Sequence, residues 1–209
     1  MKVEVWSDIA CPFCYIGKRN LEGALEQFAH RDAIEVVYRS FELYPDAPLE
    51  IDQSFVNEAL EKQGMTTEQL QAKKRKMTEL GRTVGIDYQW EQQVQTNMFD
   101  AHRLTHFAAQ FGKQVEMTER LFKGYFSEGK HLGNHEMLAG MADDIGLDRS
   151  AALAAMKSKE FVSEVREDEQ MAGQMGVRGV PFFVIDRKYA ISGAQPVEVF
   201  LQTLEKAYR

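Results

Sequence analysis

Long apolar runs are missing from this chain of 209 residues. A helix that spans a bilayer needs about 18 or more consecutive apolar residues, and no stretch of the sequence provides them. The first residues also lack the basic segment, apolar core and cleavage site of a secretory signal. From these absences we expect a cytoplasmic protein with no membrane partner.

Positive charge is scarce as well, because 25 Lys and Arg residues stand against 32 Asp and Glu residues, for a formal net charge of -7. Non-specific nucleic-acid binding requires a basic surface that matches the phosphate backbone, so we expect no nucleic-acid partner. The one basic run, residues 73–76, lies in a helix-like stretch. We interpret this run as the solvated face of a helix.

Cysteine is equally scarce, since Cys11 and Cys14 are the only two in the chain. They follow a strand-like segment that ends near Ile9, and an amphipathic, helix-like segment comes after them. A sulfur at the start of a helix lies beside unpaired N–H groups and the positive end of the helix dipole, which stabilise a thiolate. Pro12 fits the first helical turn, where a missing N–H costs little. The pattern predicts thiol–disulfide exchange.

Two other roles of the cysteines stay open, as half of a zinc site or as inert thiols. Zinc would need two further ligands, and His131 and His135 lie far from the cysteines in sequence. His102 and His106 have a spacing that can bind metal, but no Glu follows His102 as in the metalloprotease motif. Because a cytosolic potential of roughly -220 to -320 mV keeps ordinary thiols reduced, a cycling disulfide is favoured over a structural one. We expect no bound metal.

The order of predicted elements indicates the fold class. Strands are predicted over 2–9 and 34–41 with a helix from about 14 to 28 between them, which implies a parallel pair with a right-handed crossover. Helices are predicted from about residue 54 to residue 175, and the last of these helices begins at about Lys159. Residues 87–90 are predicted as an extended link within this helical stretch. A hairpin over 182–191 comes next, and its turn lacks the Asp-Gly pair of two-residue loops, so we expect a longer loop. A closing helix begins at Pro196.

We therefore predict the α/β class, as a thioredoxin-like fold split by a large all-helical insertion. Residues 1–50 and 160–209 would form the discontinuous thioredoxin-like domain, and residues 51–159 would form the insertion.

Four short motifs in this order resemble the DsbA-like thioredoxin superfamily. They are Cys11-Pro12-Phe13-Cys14, Asn97 with Ala101-His102-Arg103-Leu104, Gly179-Val180-Pro181-Phe182-Phe183, and Ser192-Gly193-Ala194-Gln195-Pro196. The second motif looks like the FrnE-like branch, related to 2-hydroxychromene-2-carboxylate isomerases and kappa-class glutathione transferases.

The resemblance implies that Cys11 is the nucleophile, that Cys14 is the resolving cysteine, and that a cis peptide bond joins Val180 and Pro181 beside them. The chain departs from the family at Phe13, where many relatives carry Trp and periplasmic oxidases often carry His. Without that His, the Cys11 thiolate lacks one donor, which argues against a strongly oxidising protein.

Six residues are candidates for substrate binding. A cis Pro181 would leave the N–H and C=O groups of Val180 available to a peptide or glutathione backbone. Arg103 could hold a substrate carboxylate by a bidentate pair or instead bind an internal Asp or Glu, and His102 has either a structural or a pocket role. The full set is Pro12, Phe13, Val180, Pro181, His102 and Arg103.

The favoured function is a cytoplasmic thiol–disulfide oxidoreductase that needs no cofactor, with glutathione as a co-substrate. Its partners would be proteins or small molecules that carry a disulfide or a thiol. The alternative is a glutathione-dependent isomerase or transferase that acts on a small aromatic or polyketide-like substrate. A redox-sensing binding protein is a third hypothesis. The second cysteine favours the redox enzyme, because the isomerase chemistry needs only one hydroxyl or thiol at position 11.

Overall fold

A computed structural model describes residues 1–51, 53–62 and 64–209. Asp52 and Gln63, which fall in the predicted insertion, lie outside the described residues. The helices and strands follow in the order β1 Lys2–Ser7, α1 Pro12–Gln27, β2 Glu35–Ser40, α2 Gln53–Lys62, α3 Thr67–Thr83, α4 Phe99–Ala109, α5 Gln114–Ser127, α6 His135–Asp144, α7 Arg149–Lys157, α8 Val162–Gln174, β3 Phe182–Ile185, β4 Tyr189–Ser192 and α9 Val197–Tyr208.

The four strands form one mixed sheet in the order β2-β1-β3-β4. β1 and β2 are parallel along their full length, whereas β3 is antiparallel to both β1 and β4. The parallel pair confirms the predicted strand–helix–strand unit. The hairpin loop spans three residues, and Asp186 and Arg187 in it have φ angles of 53° and 55°, so the prediction of a loop longer than two residues is confirmed.

Side-chain alternation along β1 gives the sheet two different faces. Val3 and Val5 pack with residues of α1 and α9, among them Leu21 and Phe200. Trp6 faces the opposite side, where it packs with residues of α8 and β3 and donates a hydrogen bond from Nε1 to the carbonyl of Asp168 at 3.0 Å. Helices therefore cover both faces of the sheet.

Helices α2 to α7 lie in the chain between β2 and α8, and residues of α3 to α7 build a second hydrophobic core. This core includes Leu104, Phe122 and Phe126 of the helical segment together with Cys11 and Cys14 at the start of α1. The motif of residues 11–14, called the redox motif below, thus lies at the interface between the sheet and the helical segment. The predicted fold class, a thioredoxin-like α/β fold with a large helical insertion, is confirmed. In the part of the chain that the structure describes, no helix combines the length and apolarity needed to cross a membrane.

Candidate active site

Cys11 is the N-cap residue of α1, and Pro12 occupies the first helical turn. The N–H of Cys11 donates to the carbonyl of Asp8 at 3.1 Å, and the N–H of Cys14 donates to the carbonyl of Cys11 at 3.0 Å. No acidic side chain lies in the first turn of α1. The Cys11 sulfur therefore lies at the positive end of the helix dipole, the kind of position used by reactive cysteines.

Both cysteines are free thiols, and they approach each other to 3.5 Å. Their side chains are 5% and 2% exposed, with Cys11 the more accessible. Burial raises the pKa of Cys14 well above its ordinary value, the adjacent Cys11 raises it further, and contacts with the Asp8 backbone and the Ser7 hydroxyl offset part of this rise. Cys14 is thus protonated at neutral pH and lies within reach of Cys11.

The peptide bond between Val180 and Pro181 is cis, the isomer that the sequence motif implies. The thiol of Cys11 donates to the carbonyl of Val180, with 3.6 Å between sulfur and oxygen. Gly17 on α1 allows this close packing, because a Cβ atom there would lie 3.0 Å from Pro181 Cγ and 3.1 Å from Phe183 Cζ. The structure therefore brings Cys11, Val180 and Pro181 together.

The two residues between the cysteines contact the helical segment. Phe13 is half-buried and packs against the core of that segment. The carbonyl of Pro12 accepts a hydrogen bond from the hydroxyl of Tyr88 at 2.7 Å. Burial, followed by proximity to Cys11, raises the pKa of Tyr88, so its hydroxyl stays a neutral donor. The sequence carries no sign of this role, since its pattern predicts only that Tyr88 lies in an extended link.

Two features hold the Tyr88 ring in position. A Cβ atom at Gly81 would lie 2.5 Å from the ring, so the glycine provides the groove in α3 that the ring occupies. Trp90 stacks on the other side of Tyr88 with ring centroids 4.8 Å apart, and Trp90 Nε1 donates to Thr78 Oγ1 at 2.9 Å. The groove at Gly81 and the stacked Trp90 ring thus hold the Tyr88 hydroxyl in position against Pro12.

His102 lies behind the turn that precedes Cys11. It is buried on α4, and its Nε2 atom is 3.6 Å from Asp8 Oδ1 but makes no hydrogen bond. The Asp8 carboxylate accepts from the N–H groups of Ala10 at 2.9 Å and Leu43 at 2.7 Å. Asp8 therefore shapes the turn before Cys11, and His102 borders that carboxylate rather than the thiols.

Arg103 does not reach the thiols, since its guanidinium group is fully engaged elsewhere. Its five N–H groups donate to Asp100 Oδ1 at 2.6 Å and to the carbonyls of residues 155, 156, 158 and 160. Of the two roles left open by the sequence, the structure shows the internal carboxylate partner. Asn97 is similarly internal, because its side chain binds the carbonyl of Ala47 at 2.8 Å and the N–H of Phe99 at 2.8 Å.

A partly buried ion cluster lies one helical turn beyond Cys14. Lys18 is 1% exposed and forms ion pairs with Glu22 on α1 and with Glu119 on α5, the latter at 2.7 Å. Arg19 also pairs with Glu119, and the hydroxyl of Tyr15 donates to it at 2.8 Å. Although burial alone would raise the pKa of Glu119, Lys18 and these other partners lower it. The cluster fixes α1 against α5 behind the redox motif.

The histidines considered as metal ligands are dispersed. His135 Nε2 lies 2.7 Å from Asp100 Oδ2, and His131 Nε2 lies 3.6 Å from Glu50. His106 faces Asp168 rather than Asp8. Among the described residues, no group of three or more His, Cys, Asp or Glu side chains is placed to hold a metal ion.

The chain is similar to known proteins both in sequence and in fold. The profile of the DSBA-like thioredoxin domain matches residues 2–205. A probable DsbA oxidoreductase from Streptomyces coelicolor is 40% identical, with a TM-score of 0.92 over 100% of this chain and 90% of that chain.

Two more distant structures share the fold. A 2-hydroxychromene-2-carboxylate isomerase is 19% identical, with a TM-score of 0.71 over 100% of this chain and 94% of that chain. The cytosolic disulfide reductase DsbM from Pseudomonas aeruginosa is 14% identical, with a TM-score of 0.69 over 100% of this chain and 99% of that chain, and it has also been solved with GSH.

Proposed function

The chain belongs to the family of DSBA-like thioredoxin domains, and on that premise we propose that it is a cytoplasmic thiol–disulfide oxidoreductase with Cys11-Pro12-Phe13-Cys14 as its active site. The main support is the approach of the two thiols to 3.5 Å at the N-terminus of α1. A helix N-terminus favours a thiolate on the first cysteine, and the cis Pro181 loop places a backbone carbonyl beside it.

In the first step, the Cys11 thiolate attacks one sulfur of a substrate disulfide. The substrate S–S bond breaks as the bond to Cys11 forms, and the other substrate sulfur leaves as a thiolate. Phe13, Val180 and Pro181 border the attacking sulfur, and the carbonyl of Val180, which Cys11 contacts in the dithiol state, becomes available to an N–H group of the substrate backbone.

In the second step, Cys14 resolves the mixed disulfide. Its raised pKa keeps the thiol protonated until the substrate thiolate that has just left can accept the proton. The Cys14 sulfur then attacks Cys11 Sγ and displaces the second substrate sulfur as a thiolate. Two electrons pass from the dithiol to the substrate, and a Cys11–Cys14 disulfide is left.

A second thiol must return the protein to the dithiol state, and glutathione is the co-substrate that we propose for this step. Two glutathione molecules reduce the Cys11–Cys14 disulfide and leave as oxidised glutathione. The reverse direction, in which substrate thiols are oxidised, uses the same intermediates. The fold neighbour described as a cytosolic disulfide reductase, with its GSH-bound form, supports the cytoplasmic location and the choice of thiol. No cofactor, metal, nucleic acid or membrane takes part in this scheme.

Reduction of insulin disulfides tests the proposal. We expect Cys11→Ser to abolish the activity, and Cys14→Ser to stop after the first step, so that a covalent adduct with the substrate accumulates and is released by an added thiol. A Cys11→Ser protein that keeps the full rate would contradict the mechanism. Equilibration of the wild type with glutathione buffers then gives the reduction potential and the direction of electron flow.

The alternative function, a glutathione-dependent isomerase or transferase for a small aromatic substrate, draws support from the fold shared with 2-hydroxychromene-2-carboxylate isomerase. Cys11 would then only position the glutathione sulfur, and Cys14 would be dispensable. Isothermal titration with glutathione, followed by assays on aromatic substrates with the Cys14→Ser variant, separates the two functions. Absence of binding at about millimolar glutathione excludes the alternative.

A further inference from the structure

Two methionine side chains meet one arginine at the C-terminal end of α8. Met171 lies in the last turn of this helix and Met175 is its C-cap residue, so the two side chains are one turn apart on the same face. Arg187, in the turn between β3 and β4, places Nη2 3.3 Å from Met171 Sδ and Nη1 3.8 Å from Met175 Sδ. Both sulfurs therefore accept from the same edge of one guanidinium group.

The guanidinium group of Arg187 is held in place from another edge. Its Nε and Nη2 atoms pair with the carboxylate of Glu4, Nη2 at 2.7 Å, and Glu4 is buried on β1. The backbone of Arg187 has a φ angle of 55°, which lies in the left-handed region that favours glycine in tight hairpin turns. An arginine at so unfavourable a backbone position indicates that its side chain has a role.

The edge of Arg187 formed by Nη1 and Nη2 faces acceptors that use it poorly. Two parallel N–H groups of a guanidinium match a pair of oxygen atoms, whereas a thioether sulfur is only a weak acceptor. Oxidation of methionine adds an oxygen to the sulfur and makes the side chain polar. The N–H donors that such an oxygen needs are therefore already directed at both sulfurs.

An oxidant dissolved in water can reach this group of side chains. Met175 is 37% exposed, the Arg187 side chain is 51% exposed, and Met171 is half-buried. Met171 packs against the apolar cluster around Trp6 and Val177 without being one of its buried members. An oxygen on the Met171 sulfur would therefore lie at the edge of that cluster, next to Arg187.

We propose that Met171 and Met175 form a reversible peroxide-modification site in which Arg187 binds the sulfoxide oxygens. Hydrogen peroxide transfers one oxygen atom to each thioether sulfur, so that the sulfur loses two electrons and the peroxide is reduced to water. A methionine sulfoxide reductase reverses the step, as two of its thiols become a disulfide and the oxygen leaves as water. The site is independent of thiol–disulfide exchange, because none of these three residues belongs to the redox motif.

Treatment of the folded, full-length protein with hydrogen peroxide locates the modification. By peptide mass spectrometry we expect one added oxygen on Met171 and one on Met175, whereas the buried Met117 and Met156 should stay unmodified. A thiol reductant added afterwards restores the cysteines and leaves the sulfoxides, whose reversal needs dedicated reductases. The comparisons below therefore concern the methionines alone.

Urea denaturation before and after treatment measures the role of Arg187. In the wild type the sulfoxides gain N–H donors, and we expect the urea midpoint to shift by less than about 0.2 M. Arg187→Lys keeps the charge opposite Glu4 but lacks the two-pronged edge, so treatment should lower its midpoint by about 0.5 M. The matched control adds Met171→Leu and Met175→Leu to Arg187→Lys, and it should abolish this loss.

The stereochemistry of the product gives a second readout. A methionine sulfoxide has two epimers, and each of two classes of reductase repairs one of them. With Arg187 on one side of the Met171 sulfur, we expect one class alone to repair most of this sulfoxide in the wild type. In Arg187→Lys each class should repair about half of it.

An equal loss of urea midpoint in the wild type and in Arg187→Lys would overturn the proposal, as would a Met171 or Met175 that stays unmodified in the folded wild type. Repair of Met171 by the two reductase classes in equal parts in the wild type would also contradict it. Cys11→Ser should be modified at both methionines as the wild type is, so a failure of the proposed thiol exchange leaves this result unchanged.

Discussion

Tyr88 holds the carbonyl of Pro12 between the two cysteines with a 2.7 Å hydrogen bond. This bond joins residues 76 positions apart in the chain, and the positive end of the O–H donor partly offsets the negative end of the Pro12 carbonyl dipole beside Cys11. At the scale of single residues, it is the hydrogen bond that links the helical segment to the motif, beside the packing of Phe13 against the core of that segment.

We expect Tyr88→Phe to slow alkylation of Cys11 by iodoacetamide about fivefold at pH 7, because an uncompensated carbonyl dipole disfavours the thiolate. The free energy of unfolding should fall by about 1 kcal/mol for the lost hydrogen bond. The control is Tyr189→Phe on β4, which removes a hydroxyl far from the motif. If the pH profile of alkylation is identical in both variants, Tyr88 serves packing only.

The residues that could be predicted from the sequence are those with short-range signals. Cys11 and Cys14 are separated by two residues and begin a helix, and Pro181 stands directly before a strand, so local patterns were sufficient. Tyr88 and Glu42 could not be found in this way, because their partners Pro12 and Arg166 lie far away in the sequence. Arg103 stands out in its motif, but its internal carbonyl partners depend on the packing of α4 against α7.

At the scale of elements, α1 depends on one glycine for its approach to the loop before β3. A Cβ atom at Gly17 would meet Pro181 Cγ at 3.0 Å and Phe183 Cζ at 3.1 Å. These distances are tighter than ordinary packing, so the Pro181 and Phe183 side chains must move by a few tenths of an ångström when position 17 carries a Cβ atom.

We expect Gly17→Ala to lower the free energy of unfolding by about 1–2 kcal/mol, since overpacking costs more than the gain in helix propensity. Gly140→Ala on α6 is the matched control, because a Cβ atom there meets nothing within 4 Å. This control should stabilise the protein by up to about 1 kcal/mol. Urea denaturation measures both values, and stabilisation by Gly17→Ala would contradict the close contact.

Lys18 makes the second connection of α1, to Glu119 on α5. Lys18→Met removes one of the two cations that pair with Glu119 and Glu22 and leaves Arg19 as the other. Because the Lys18 side chain is itself buried, we expect this change to cost up to about 3 kcal/mol in urea denaturation. Lys2→Met provides the comparison. Its pair with Glu35 is exposed on both sides, and its loss should cost less than about 1 kcal/mol. Equal costs would mean that the Lys18 pair contributes no more than a surface pair.

The first residues of two helices show which boundaries depend on the local sequence and which depend on tertiary contacts. α1 starts at Pro12, as expected from the fit of proline to the first turn of a helix, and two residues before the approximate start that the apolar pattern predicts. α8 starts at Val162, three residues after the predicted Lys159. The reason is a contact from α4, since Arg103 binds the carbonyls of Ser158 and Glu160 and holds this segment as a turn.

At the scale of the whole molecule, the half-buried Glu119 and the buried Glu42 have opposite pKa shifts, so the free energy of unfolding depends on pH. The pKa of Glu119 is lowered from 4.5, since its cationic partners outweigh burial. The pKa of Glu42 is raised from 4.5 by burial. Below pH 4.5 the unfolded chain therefore binds more protons at position 119 than the folded protein does, and above pH 4.5 the folded protein binds more protons at position 42.

We expect the free energy of unfolding to fall on acidification below pH 4.5, as the pairing of Glu119 is lost when pH drops through its folded pKa. Glu119→Gln should make this fall shallower, by at most about 1.4 kcal/mol per pH unit for one proton.

Glu42→Gln should instead change the pH dependence of the free energy of unfolding above pH 4.5. There the wild type loses stability as pH rises towards the folded pKa of Glu42, and the variant should not. Urea denaturation at half-unit steps from pH 3 to pH 7 measures both slopes, and a change in the same window for both variants would contradict the assignment of opposite shifts.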